Sequence, residues 1–290
     1  MSNTATHNDT RFQGKSIVIT GAGGNFGREG CLYFAARGCK VAALDKNPTA
    51  LAETVQEVRA KYPKAIICSA TCDVTNAANV QKVVDQVVKE LGGSIDLLWN
   101  NAGYQGKIQP TLEYDPNDFA LVMNINVTGM FIVLQAVARQ MAKQQPPKDK
   151  SSTKPHPYAI VNTSSVAGLR GTPAMCAYAS SKAAVLSMTV STSKDLAPHG
   201  IRVNAVSPAL IGPGFMWDRQ NELHAASGSP YFARDPAVVA QAKVNGVPLK
   251  RLGSVQEVIQ SVAFLLSDDA SYTTGTNLVV DGGMSSGLRC

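Results

Sequence analysis

Lys15-Ser16-Ile17-Val18-Ile19-Thr20 runs straight into Gly21-Ala22-Gly23-Gly24-Asn25-Phe26-Gly27. The first six residues form a short β-branched run of the kind that makes a buried parallel strand. The glycine-rich turn behind it lets the backbone come close to a pyrophosphate. A helix starting there presents free N–H groups and its positive dipole end to the same anion. On its own the turn could equally be a ligand-free strand-to-helix connection. The next strand, residues 40–44, ends at Asp45. An acidic residue about 20 positions past the glycines is where a ribose 2′-hydroxyl is held. The two features together point to a dinucleotide.

Outward from this unit, strands and helices alternate. Strand 15–20 leads to a helix through Tyr33 and Ala36, and strand 40–44 to a helix over 48–61 with Pro48 in its first turn, where a missing N–H is harmless. Strand 65–70 leads to a helix over 80–91, with Val80, Val83, Val84, Val87, Val88 and Leu91 at helical spacing. Strand 95–99, a long helix over 118–143, strand 159–163, a helix over 173–196, strand 201–206, a helix over 256–266 and strand 277–280 complete the series. Such alternation predicts an α/β chain with a doubly wound, seven-stranded parallel sheet and helices on both faces, a single Rossmann domain over 12–290. Ligands then sit at the carboxyl ends of the strands. Three segments fall outside the pattern. Residues 1–11 read as a disordered tail. Residues 144–157, rich in proline, serine and lysine, read as a solvated surface insertion. Residues 210–252 mix turn formers with large apolar and charged side chains, and read as a segment covering the substrate.

The chemistry is concentrated in Tyr178-Ala179-Ser180-Ser181-Lys182, with Ser165 upstream. Tyr and Lys four apart on a helix share a face. A free tyrosine, with a pKa of about 10, is a poor base at neutral pH. A neighbouring ammonium favours the phenolate and moves the pair toward acid/base work. The Ser165 hydroxyl would hold a substrate oxygen beside the phenol. A Tyr-x-x-x-Lys pair alone is more often a solvated helix face; the dinucleotide motif upstream gives it weight.

Together these stretches resemble the short-chain dehydrogenase/reductase family over residues 12–284. Thr20 to Gly27 matches the family's Thr-Gly-x-x-x-Gly-x-Gly, with Asn25 in place of the middle glycine, a residue tolerant of left-handed backbone. Cys72-Asp73-Val74 is similar to the adenine-contacting segment, and Asn100-Asn101-Ala102-Gly103 to the motif after the fourth strand. Pro208-Ala209 stands where the family has Pro-Gly. The resemblance implies Asn126, Ser165, Tyr178 and Lys182 as the catalytic set. Tyr178 would be the base, Ser165 the carbonyl-oxygen donor, and Lys182 would lower the phenol pKa and hold the nicotinamide ribose. Asn126 would position a water. It implies cofactor contacts at Gly21, Gly24, Asn25, Phe26, Gly27, Asp45, Lys46, Asp73, Val74, Asn101, Ala102, Gly103, Tyr178, Lys182, Pro208, Ala209 and Ile211. NAD is expected over NADP, because Asp45 would repel a 2′-phosphate; Lys46 and Arg28 leave the alternative open.

Within the family the chain is similar to the bacterial xylitol dehydrogenases, through residues 100–106, 212–220, 230–232 and 238–241. That likeness implies NAD-dependent interconversion of a secondary alcohol and a ketone, with a polyol as substrate. Ser165, Gln105 and Trp217 are the expected substrate residues, and Asp218 and Arg219 further polar candidates. Trp217 and Phe215 read equally as local core. A 3-oxoacyl-thioester or general carbonyl reductase is the alternative enzyme, and a non-catalytic NAD-binding module the alternative outside catalysis. The family also implies a homotetramer packed through the helices at 118–143 and 173–196.

Composition frames these expectations. The chain has 290 residues, 44% hydrophobic and 17% charged, with a formal net charge of +6. Its basic residues are dispersed, apart from Lys148, Lys150 and Lys154, so no nucleic-acid partner is expected. No apolar run reads as a membrane span, and the polar residues 1–10 do not read as a secretory signal. Six scattered cysteines suggest neither a disulfide framework nor a metal site, and a reducing cytoplasm is the expected location.

Overall fold

The computed structural model describes residues 10–144 and 157–286. Seven strands form one wholly parallel sheet: β1 (Ser16–Thr20), β2 (Lys40–Asp45), β3 (Ile67–Thr71), β4 (Leu97–Asn100), β5 (Tyr158–Thr163), β6 (Ile201–Pro208) and β7 (Asn277–Val280). Their order across the sheet is 3-2-1-4-5-6-7. The order reverses between β1 and β4, so a crevice opens there at the carboxyl ends of the strands. β1 and β4 pair in register with Ile17 opposite Leu97 and Ile19 opposite Trp99.

The alternation of side chains along each strand splits the core in two. Ile17, Ile19, Val41, Ala43, Leu97, Trp99 and Val161 point to one face. They are covered there by α1 (Asn25–Ala35), α2 (Pro48–Lys61) and α10 (Val255–Leu266). Val18, Ala42, Leu44, Leu98, Ile160 and Val203 point to the other, under α3 (Ala77–Glu90) and the helix that ends at Lys143. Of the valines foreseen on α3, Val80, Val83, Val84 and Val87 form its buried stripe and Val88 is half-buried. Asn47 and Asn76 cap α2 and α3 through their side chains.

The long helix expected over 118–143 is three pieces. α4 (Pro116–Met123) starts two residues earlier behind the Asp115 cap. A π-helical stretch, Asn124–Gly129, follows, and α5 (Met130–Lys143) completes the run. The whole of Pro116–Lys143 is long and apolar enough to cross a membrane, which corrects the reading that no such run exists. Here α5 lays Val133, Leu134, Val137 and Met141 on the sheet. After β5 come the short α6 (Ala167–Arg170) and α7 (Cys176–Leu196).

The segment 210–252 is more regular than the sequence pattern suggests. It contains α8 (Phe215–Ala226) and α9 (Pro236–Asn245). Neither carries a clean apolar stripe: α8 buries Trp217, Asn221 and His224, and α9 only Val239. That composition hides helices from a periodicity reading. Of the two remaining segments, residues 1–9 and 145–156 lie outside the described residues. Arg11 is not loose tail: its guanidinium meets Asp269 at 2.8 Å, and Phe12 is fully buried. Gln144 bonds the backbone N–H and C=O of Ile95, both at 2.9 Å.

Candidate active site

Thr20 ends β1 at the switch point and ties the crevice together. Its hydroxyl accepts from the N–H groups of Asn101 and Ala102, each at 2.9 Å, and Asn101 Nδ2 donates to its carbonyl at 3.2 Å. Gly21 then turns at φ +68, a left-handed conformation that glycine adopts without strain. Gly27 is held tighter still. A Cβ there would lie 2.2 Å from the Gly21 carbonyl oxygen and 2.7 Å from Ala22 Cα. The turn is therefore as small as backbone allows. Gly24 caps α1 without a side-chain bond, and no acidic residue occupies the first turn. The N–H groups of that turn are left for an anion. A pyrophosphate fits this cradle.

Asn25 sits inside α1 and is absent from the positive-φ positions. Its substitution for glycine is tolerated because right-handed backbone suffices there, not because asparagine bears left-handed geometry. Ala209 shows no positive φ either; the strained neighbour is Leu210, at φ 51.

Asp45 accepts from Gly23 N–H and Asn47 N–H, both at 2.8 Å, and its side chain borders the same cavity as Gly21, Gly24, Asn25 and Phe26. The two nearby cations are engaged elsewhere. Lys46 meets Asp73 at 3.0 Å and Arg28 meets Glu53 at 2.7 Å. Hydrogen bonds from Thr75 and then from Lys46 hold the Asp73 carboxyl below its ordinary range. Lys46, Asp73, Val74 and Gly27 lie outside the cavity lining, whereas Asn101, Ala102, Gly103, Pro208, Ala209 and Ile211 belong to it.

The cavity, of about 680 Å³, continues from the glycine turn to Ser165, Tyr178 and Lys182. Packing of α6 on α7 fixes these three. Ser164 Oγ donates to the Lys182 carbonyl at 2.8 Å, and a Cβ on Gly168 would lie 2.6 Å from Lys182 backbone carbon. Lys182, 3% exposed, donates from Nζ to Thr163 O at 2.8 Å and lies 5.6 Å from the Tyr178 ring centroid. Burial pulls the Lys182 ammonium down to about 8. Burial also pushes the Tyr178 phenol up, opposed by a hydrogen bond from Ser165. The expected lowering of the phenol by Lys182 does not appear among these influences; the largest is the phenol's own burial.

Asn126 is fully buried in the π-helical stretch and lies outside the cavity lining. Its Oδ1 accepts from Tyr104 N–H at 2.7 Å. Its Nδ2 donates to Tyr104 O at 2.8 Å and to Ser181 Oγ at 2.9 Å. Both amide hydrogens are thereby used, so a water could be held only through Oδ1. In this arrangement Asn126 braces the loop after β4 against α7.

Gln105 and Trp217 line the cavity, and Gln105 Oε1 accepts from Gln220 Nε2 at 3.2 Å, joining the loop after β4 to α8. Asp218 and Arg219 do not line it; both are exposed, and Arg219 pairs with Glu222 at 3.3 Å. Phe215 is exposed as well, so of the two aromatics only Trp217 forms a wall. The sequence reading missed Thr20, Thr163, Gln220, His224 and Lys243. The two threonines end strands beside the switch point, a signal that was available. The other three sit on α8 and α9, where no helix was foreseen.

A family profile described as "Enoyl-(Acyl carrier protein) reductase" matches residues 21–285. A levodione reductase of Leifsonia aquatica is 33% identical over 283 residues, 97% of this chain and 98% of that protein. A 3-oxoacyl-[acyl-carrier-protein] reductase of Thermotoga maritima is 34% identical, over 94% of this chain and 99% of that protein. The solved structure of an NAD+-bound xylitol dehydrogenase superposes with a TM-score of 0.88 at 48% identity, covering 94% of this chain and 100% of that one. The chain belongs to the short-chain dehydrogenase/reductase family. It is an oxidoreductase acting on CH–OH groups with a nicotinamide cofactor.

Proposed function

We propose that the chain is an NAD-dependent polyol dehydrogenase that interconverts a secondary alcohol and a ketone, with xylitol and xylulose as the reference pair. The observation that carries this reading is one continuous cavity joining the glycine turn and Asp45 to Ser165, Tyr178 and Lys182. The 48% identity with an NAD+-bound xylitol dehydrogenase supports the substrate class and the cofactor. The preference for NAD rests on Asp45. Its carboxylate would repel a 2′-phosphate, and Lys46 and Arg28 already have acidic partners.

When bound, the nicotinamide supplies the hydride acceptor; placement and proton transfer fall to the chain. Tyr178 Oη takes the hydroxyl proton of the alcohol as a general base. The Ser165 hydroxyl donates to the oxygen as it becomes a carbonyl. Lys182 Nζ has two N–H groups left after its bond to Thr163, and these would hold ribose hydroxyls. Asn126 keeps Tyr104 and Ser181 in place around them. α8 and α9 would wall the substrate end, where Trp217 and Gln105 line the cavity. A cytoplasmic location is part of this reading, supported by the free thiols of Cys31, Cys39, Cys68, Cys72 and Cys176.

A panel of polyols, followed by nicotinamide absorbance with NAD and NADP in parallel, tests the proposal. Oxidation of xylitol or a related polyol with NAD is expected. Brisk reduction of an acetoacetyl thioester beside no polyol oxidation would establish the 3-oxoacyl reductase reading instead.

A further inference from the structure

The cavity wall built by α8 and α9 holds a buried polar cluster that the chemistry at Tyr178 does not use. His224, 2% exposed, and Lys243 both line the cavity. His224 Nδ1 lies 2.8 Å from the Gln220 carbonyl and 3.0 Å from Lys243 Nζ. Lys243 Nζ donates to Asn221 Oδ1 at 2.7 Å and sits 5.3 Å from the Trp217 ring centroid. His224 Nε2 is buried without a hydrogen-bond partner. Nδ1 lies between the Gln220 carbonyl, which only accepts, and the Lys243 ammonium, which only donates; in either tautomer Nε2, as lone pair or as N–H, has no partner among the described residues. Burial, then the neighbouring Lys243 charge, hold the imidazole neutral by drawing its pKa down to about 4. Lys243 feels no carboxylate; burial alone brings it to about 8, so at neutral pH it remains largely an ammonium with N–H groups to spare.

A hydroxyl, which both gives and takes a hydrogen bond, can satisfy Nε2 in either tautomer and accept from the spare N–H groups of Lys243. An apolar chain would leave both groups unpaired, a defect that sites built for hydroxyls use to reject analogues. We propose that His224 Nε2 and Lys243 Nζ together bind hydroxyls of the polyol remote from the reacting carbon, and so determine specificity for polyhydroxylated substrates. The inference rests on the polyol reading above and assigns that reading to two residues.

Steady-state kinetics of the full chain at saturating NAD test it, with xylitol compared against butan-2-ol, which has no remote hydroxyl. In His224→Leu and Lys243→Met the KM for xylitol should rise about ten-fold or more. Turnover of butan-2-ol should stay near the parent value, and His224→Gln, whose amide can donate or accept, should recover part of the loss. Equal losses on both alcohols would make the cluster a packing device of α8 and α9 and end the proposal. An unchanged xylitol KM would do the same. A parent enzyme that prefers an aldonate to a polyol, with that preference lost in Lys243→Met, would replace the hydroxyl site with an anion site. A parent enzyme that oxidises no polyol would instead defeat the functional reading, and this inference with it. Imidazole nitrogen NMR of the enzyme–NADH complex gives a readout independent of turnover. Added xylitol should shift the His224 Nε2 resonance; an unmoved resonance overturns the contact.

Discussion

Tyr178 stands between two opposing influences. Its surroundings push the phenol up, and the Ser165 hydroxyl pulls it back. A base in that position works only after losing its proton, so alcohol oxidation should quicken as pH rises from neutrality. Ketone reduction, which needs the phenol protonated, should slow over the same interval. Profiles of kcat/KM against pH in both directions check this, and parallel profiles would contradict it. Tyr178→Phe keeps the ring and removes the acid. Turnover should drop by about 10² to 10⁴, with NAD affinity within a few-fold of the parent by calorimetric titration; ordinary turnover would remove Tyr178 from the reaction. Asp45→Ala removes the carboxylate facing the cavity. The NAD-to-NADP ratio of kcat/KM should fall by about ten-fold or more. A constant ratio would mean that the preference, if any, lies elsewhere.

At the scale of elements, the turn between β1 and α1 is the least forgiving part of the chain. Gly27→Ala would drive a methyl group into the Gly21 carbonyl, and the backbone on both sides would have to move. A loss of about 1–3 kcal/mol in denaturant unfolding is expected from such overpacking, together with weaker NAD binding. Unaltered stability would show that the turn relaxes freely. This same turn was legible in the sequence, because a dinucleotide cradle demands glycines at fixed places. The strands were legible as well, since β1, β2, β5 and β6 are buried on both faces and rich in β-branched and small apolar residues, with buried polar exceptions such as Asn162, Arg202 and Asn204. The π-helical stretch at Asn124–Gly129 was not, because an extra residue in a turn leaves the periodicity nearly intact. Nor were α8 and α9. Their buried positions are a tryptophan, an asparagine, a histidine and a lone valine, which follow the needs of the cavity more than those of a hydrophobic core. The reach of His224 and Lys243 into the site was hidden for the same reason. The roles of Lys182 and Asn126 were legible only as motif positions; their desolvation and their hydrogen bonds depend on neighbours from β5, α6 and the loop after β4.

On the scale of the whole molecule, α5 and α7 bury their inner faces on the sheet and α4 packs on α7, and large apolar side chains are left outside. Leu121, Phe131 and Val190 are each more than 40% exposed. They lie on the helices through which the sequence resemblance implies a tetramer. Covering them by copies of the same chain would remove apolar surface from water at roughly 25 cal/mol per Å² before the costs of association. Because symmetric interfaces repeat, each substituted side chain would enter the assembly four times in a homotetramer. Light scattering coupled to gel filtration should therefore give the mass of four chains. Phe131→Glu places a charge where a partner's apolar surface would have to desolvate it. That variant should elute as a smaller species whose isolated fold, judged by circular dichroism, is kept. A parent chain that runs as a monomer at micromolar concentration, or a Phe131→Glu chain that remains a tetramer, would place the assembly surface elsewhere or remove it.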